Sequence, residues 1–165
     1  MFGKDYTDRV RQGIVSEALT WVGTPYLSNA MVKGKKGGTD CAMLLLGVYA
    51  NVGLVTKEYD PRPYPPQWHL HQNVEKYMQA VLRFAVEVPG PPEREPLPGD
   101  VVMFKLGHVH SHGGIIIAWP NIIHAVGNVA VIREDLSKST TGKRAFWPAE
   151  KRFFCVRSLA EVEHT

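Results

Sequence analysis

The chain has few cysteines, has no long oily run and carries no decisive surplus of either charge. Its 165 residues include two cysteines, Cys41 and Cys155, too few for the disulfide framework of a small secreted scaffold. The longest apolar run, around Ala42 to Leu46, is far short of the roughly 20 residues a membrane-spanning helix needs. Membrane insertion is therefore not expected. The opening stretch MFGKDYTDRVRQG is charged and lacks the apolar centre of a secretory signal. If the protein acts outside the cell that makes it, another route is expected to carry it. Lys and Arg exceed Asp and Glu by only 19 − 16 = 3. The basic residues form small groups, Lys33, Lys35 and Lys36, then Lys143, Arg144, Lys151 and Arg152. Such groups are ordinary solvated faces, and no nucleic-acid-binding motif accompanies them. Internal repeats and long low-complexity tracts are missing as well.

What is there fits one soluble globular domain spanning 1–165, at 44% apolar and 21% charged residues. Val10, Ile14, Ala18 and Trp21/Val22 recur at helical spacing and predict an amphipathic helix over Thr7 to Val22. Cys41 to about Asn51 is apolar on nearly all sides, which predicts a buried central helix. Asp40 or Thr39 is its natural N-cap, and Gly53 closes it. A proline-rich and helical insert occupies about 55–96, with a third helix marked by Leu70, Val74, Tyr77/Met78, Val81 and Ala85. Short β-type runs follow at Val101 to Phe104, Ile115 to Ala118, Ile122 to Val126, Val129 to Ile132 and Phe153 to Val156. Helices first and strands after them predict an α+β fold, with helices packed on an antiparallel sheet.

The chemistry gathers at the stretch KKGGTDCAMLLLGVY. A cysteine in the first turn of a buried helix lies beside unpaired backbone N–H groups and the positive end of the helix dipole. Both favour thiolate, the nucleophilic form. Gly37 and Gly38 leave room for a substrate backbone, and the N–H of Cys41 is placed to donate to a developing oxyanion. A small core residue at a helix start is the plain alternative. A nucleophile of this kind needs a base and the base an orienting partner. GHVHSHGGIIIAWPNIIHAV supplies His112 at the head of one strand and His124 in the next. Their separation is even, so in a simple hairpin both point to one sheet face. Cys155, inside RFFCVR, reads as a buried strand residue, and His69 and His71 read as surface or capping residues at a helix start. His108 and His110 read as loop residues at a cleft rim, and Trp21, Trp68, Trp119 and Trp147 as core or edge packing.

GTPY, then GGTDC opening an apolar helix, then PLPGDVVMF, SHGGIII and IIHA occur in that order. This ordered set resembles the NlpC-type cell-wall peptidases, small papain-like cysteine enzymes, over about residues 8–133. The stretch YPPQWHLHQNVEKYM resembles the insert of versions encoded by bacteriophages. The resemblance implies a papain-like fold with Cys41 as nucleophile, His112 as general base and His124 as the orienting third residue. It aligns Tyr26 with the tyrosine lining the site, aligns Asp40 with the acidic residue before the nucleophile, and implies no metal or cofactor. The implied substrate is a peptidoglycan stem peptide, cut between D-glutamate and the following diamino acid. Together with the charged N-terminus it implies a virion tail enzyme, with other tail proteins as partners. The chain departs from the family in having Ala42-Met43 where Ser-Gly is common, and in a longer interval between cysteine and histidine.

Three other readings stay open. His108, His110 and His112 alternate, so on a regular strand they would share a face and, with His124, bind a metal. The same cysteine–histidine fold carries acyl transfer on lipids. The domain could also serve as a structural part of a phage tail.

Overall fold

The computed structural model describes residues 2–56, 58–64, 76–138 and 146–163. Among them are helices α1 (Phe2–Thr20), α2 (Cys41–Asn51), α3 (Lys76–Leu82) and α4 (Arg157–Glu163). The strands are β1 (Met31–Val32), β2 (Gly38–Thr39), β3 (Ala85–Val88), β4 (Val101–Leu106), β5 (Val109–Ala118), β6 (Asn121–Ala125), β7 (Val131–Asp135) and β8 (Lys151–Val156). Strands β3 to β8 make one antiparallel sheet in the order β3-β8-β4-β5-β6-β7. The α+β expectation holds.

Alternation along the strands sorts their side chains into two cores. Val101, Met103, Ile115, Ile123 and Val131 pack with α1 and α2. Val102, Phe104, Ile116, Ile122, Leu136, Phe146 and Phe153 make a smaller cluster on the other face. Helix α2 is buried from Met43 through Tyr49, as its all-round hydrophobicity requires. Gly47 admits the edge of the Trp21 indole, since a Cβ there would stand 2.7 Å from the ring. Beyond the C-cap Val52, Gly53 takes the left-handed conformation (φ 77) that glycine adopts without steric cost.

The helical spacing that ends at Ala85 overran its helix. Ala85 opens β3, an edge strand paired with β8, and α3 stops at Leu82. Residues 65–75, which carry Trp68, His69, Leu70, His71 and Val74, lie outside the described residues, as do Lys143 and Arg144. Cys155 is fully buried in β8, where burial and Asp100 push its thiol up to about 11.

One buried polar cluster ties these layers together. The Arg11 guanidinium, on α1, donates to Asp100 Oδ1 at 2.8 Å, the Pro98 carbonyl at 2.8 Å and Glu163 Oε1 at 2.6 Å. Asp100 Oδ2 accepts from Arg94 at 2.7 Å and from the Leu97 N–H at 2.9 Å. The Tyr49 hydroxyl donates to the Gly99 carbonyl at 2.7 Å. The turn leading into β4 is thereby fastened to α1, α2 and α4 at once.

Candidate active site

Helix α2 starts on the cysteine because Asp40 caps it. Asp40 has extended backbone (φ −108), and its Oδ1 accepts from the N–H groups of Ala42 at 3.1 Å and Met43 at 2.9 Å. Its Oδ2 accepts from the Asn29 N–H at 2.7 Å and the Tyr64 hydroxyl at 2.5 Å. Asn29 and Tyr64 are joined in turn, Tyr64 N–H to Asn29 Oδ1 at 2.9 Å and Asn29 Nδ2 to Tyr64 O at 2.8 Å. Four of the protein's own donors thus occupy a buried carboxylate. Asp40 is a cap and a tie for the loop beside the nucleophile.

Cys41 as a residue is partly exposed, and its sulfur rests on the backbone of β5. It donates to the Ser111 carbonyl at 3.8 Å, and the N–H groups of Cys41, Ala42 and Gly113 favour its anionic form. Among the described residues, its hydrogen-bond partners are backbone groups. His112 stands between the two strand residues that touch it. Burial, then the charge of Asp40, drive the thiol well above its ordinary range and outweigh the three N–H groups. Burial first, and then the anionic cap that begins the helix, oppose the thiolate that the helix start was expected to favour. These surroundings favour the protonated thiol, so a neighbouring base would assist its ionisation.

Three tyrosines surround it. Tyr26 bridges in parallel to Thr39, and Cys41 and Asp40 both act on its hydroxyl after burial does. The Tyr77 hydroxyl donates to the Cys41 carbonyl at 3.0 Å and fills the space above Gly113, where a Cβ would come within 2.7 Å of it. Tyr64 and Tyr77 escaped the sequence reading, which saw a proline-rich connector and a helix face. The room assigned to a substrate at Gly37 and Gly38 is taken by the chain itself. A Cβ on Gly37 would meet the Val32 carbonyl oxygen at 1.9 Å, and one on the buried Gly38 would meet Leu27 at 2.7 Å.

His112 and His124 meet directly, with His112 Nε2 2.9 Å from His124 Nδ1. Strand β5 begins at Val109, so His112 lies inside it, past a bulge. Phe104 pairs with His112 but Lys105 pairs with His110, leaving Ser111 as the extra residue. Bulges of this kind re-aim side chains, and here the bulge sends His110 and His112 to opposite faces. The shared face imagined for three alternating histidines is therefore absent. His108 sits in the turn with Gly107 (φ 73), and His110 is a buried strand residue instead of a rim loop residue. Among the described residues no group of three His, Cys, Asp or Glu side chains is arranged to hold a metal ion.

The β5–β6 register, continued from Ile115↔Ile123, sets Gly114 opposite His124, where a Cβ on the glycine would stand 3.1 Å from the His124 Cβ. Lacking a side chain, Gly114 leaves the lane along which His124 reaches His112. Phe146 stacks on His112 at 4.7 Å and meets His124 edge-on at 5.2 Å. Phe104 lies 5.8 Å from His112. Behind this pair comes a residue the sequence reading missed. Glu134 on β7 is buried, and its Oε2 lies 2.6 Å from His124 Nε2. It pairs across from Ile122, diagonal to His124. A charged residue at an inward position of a strand was its signal.

Iodoacetamide should modify Cys41 much faster than Cys155 in the native protein, because Cys41 is partly open and Cys155 is sealed. The Cys41 rate should climb with pH as the thiolate fraction grows. Peptide mass analysis reads both; equal native rates would contradict the geometry.

No protein-family model and no curated protein sequence matches the chain. Solved structures do. The NlpC/p60 domain of the peptidoglycan hydrolase SagA aligns with a TM-score of 0.54 at 17% identity, over 86% of this chain and 96% of that one. NlpC1 from Trichomonas vaginalis aligns with a TM-score of 0.58 at 16% identity, over 86% of this chain and 41% of that one. The P60 domain of the M. avium subspecies paratuberculosis antigen MAP1204 aligns with a TM-score of 0.53 at 14% identity, over 79% and 88%. The chain shares with them the α+β, papain-like fold of NlpC/p60 domains.

Proposed function

We propose that the protein is a cysteine peptidase acting on the stem peptides of peptidoglycan, with Cys41 as nucleophile, His112 as base and His124 as the residue that orients it. The observation that carries the reading is the sulfur at the start of α2 lying on the two residues that flank His112, with His112 joined to His124 at 2.9 Å. The fold neighbours support the substrate class, one of them being a domain of a peptidoglycan hydrolase.

In the reaction, the Cys41 proton passes to His112 Nδ1 as the sulfur attacks the scissile carbonyl. The N–H at the helix start receives the oxyanion. The C–N bond then breaks, His112 gives its proton to the leaving amine, and a thioester remains. Water, deprotonated by His112, adds to the thioester and releases a carboxylate and the free thiol. The sum is one amide plus one water giving one acid and one amine. The bond proposed is that between D-glutamate and the diamino acid, and the proposed setting is a bacteriophage tail, with tail proteins as neighbours. Both finer points rest on the sequence resemblance.

Purified muropeptides incubated with the protein should yield two fragments whose masses sum to the substrate plus one water. Product masses that place the cut in the glycan, or no cleavage of any stem peptide, would overturn the reading.

A further inference from the structure

The proposed base belongs to a longer chain of contacts. That chain runs from His112, whose two strand neighbours hold the Cys41 sulfur, through His124 to Glu134, and its far end is chemically different from the rest. A carboxylate only accepts hydrogen bonds, whereas each nitrogen of a neutral imidazole is donor or acceptor according to tautomer. Glu134 therefore fixes a direction. With Glu134 Oε2 at 2.6 Å from His124 Nε2, the proton of His124 belongs on Nε2. His124 Nδ1 is then an acceptor, and its contact at 2.9 Å must be donated by His112 Nε2–H. That leaves the lone pair of His112 on Nδ1, the nitrogen to which the proposed mechanism gives the thiol proton.

We propose that Glu134 is a positioning residue that sets the tautomers of His124 and, through it, of His112, so that His112 keeps Nδ1 unprotonated for Cys41. The direction of the chain also suits the later charge. Once His112 has taken the thiol proton, its Nε2–H still meets an acceptor, and the positive ring faces a carboxylate two contacts away. The surroundings keep the direction strict. His124 is fully buried, Glu134 nearly so, and Phe104 and Phe146 wall the rings. The sheet supplies the spacing, because His124 pairs across from Ile132 and Ile122 from Glu134, so the two side chains share a face one diagonal step apart.

The role in catalysis rests on the peptidase reading, but the tautomers do not, and the test separates them. The full-length chain labelled with 15N-histidine shows by long-range 1H–15N correlation which ring nitrogen of each histidine carries the proton. In the wild type, His112 and His124 should both be protonated on Nε2. In Glu134→Gln, whose amide can also donate, that pattern should break. Cleavage of muropeptides should fall about 10- to 100-fold in kcat, the scale of a lost orienting partner, with KM little changed, and Glu134→Asp should restore part of the loss. A wild-type His124 protonated on Nδ1, alone or together with Nε2, overturns the proposal, as do unchanged tautomers in Glu134→Gln. Should Glu134→Gln not fold, the wild-type tautomers decide alone. Correct tautomers in a protein that cuts no stem peptide would sink the peptidase reading and leave this one standing.

Discussion

Cys41→Ala is expected to abolish stem-peptide hydrolysis while leaving the fold and its thermal midpoint nearly unchanged. The two halves of that expectation have separate causes. The sulfur contributes little to stability, for its hydrogen bonding among described residues is a 3.8 Å contact to a carbonyl and a few N–H dipoles, and sulfur is a weak donor. The elements that build the site do not depend on it. Asp40 caps α2 through Ala42 and Met43, and Tyr77 holds the Cys41 carbonyl, a backbone group that alanine retains. Activity, in contrast, should fall on the order of 10⁶-fold, the scale seen when a covalent nucleophile is removed from a serine protease. His112→Ala should cost about as much, and the double variant little more, because the residues act as a unit. Product mass and a melting curve on the same samples check both halves. Hydrolysis retained by Cys41→Ala would rule out the mechanism, and loss of folding would make the sulfur a structural residue.

Much of this site could be read from the sequence because its parts are local. An N-cap aspartate before an apolar run marks where a helix begins, and a cysteine there is conspicuous. The even spacing of His112 and His124 pointed to a shared face, and the rings do share one. The route differs from the simple hairpin assumed. Ala118 pairs with Asn121 across the turn, and that register carried inward would put the two histidines on opposite faces. A bulge that leaves out Ile117 restores Ile116↔Ile122 and brings them together. A second bulge at Ser111 separates His112 from His110. A one-residue slip reverses every side chain of a strand, and bulges leave no clear mark in hydrophobic alternation, so neither was legible. Glu134 was hidden for a related reason, since its partner depends on the β6–β7 register. Strand β3 was lost because Ala85 continued a helical period by chance, and the seven residues of α4 carry too few turns to show one.

The Pro-Gly-Asp turn shows the same limit, for PLPGDVVMF helped mark the family likeness while the work of its aspartate was invisible. Asp100→Ala should be the most damaging substitution outside the site. Asp100 is fully buried and accepts from Arg11 at 2.8 Å, Arg94 at 2.7 Å and the Leu97 N–H at 2.9 Å. Its removal leaves the Arg11 guanidinium in the interior with Glu163 as its remaining carboxylate. Breaking one side of a buried ion pair costs about 3–5 kcal/mol, since the surviving charge stays desolvated, and that is a large part of the roughly 5–15 kcal/mol typical of a domain. Arg94→Ala removes a partner from the same carboxylate, but Arg94 is 22% exposed. Arg11 and the Leu97 N–H still satisfy Asp100 there, so the loss should be about 1 kcal/mol, as for other partly exposed pairs. Urea unfolding of the two variants reads the difference. Equal, small losses would mean that the cluster is a solvated surface network and does not fasten α1, α4 and the start of β4 to one another.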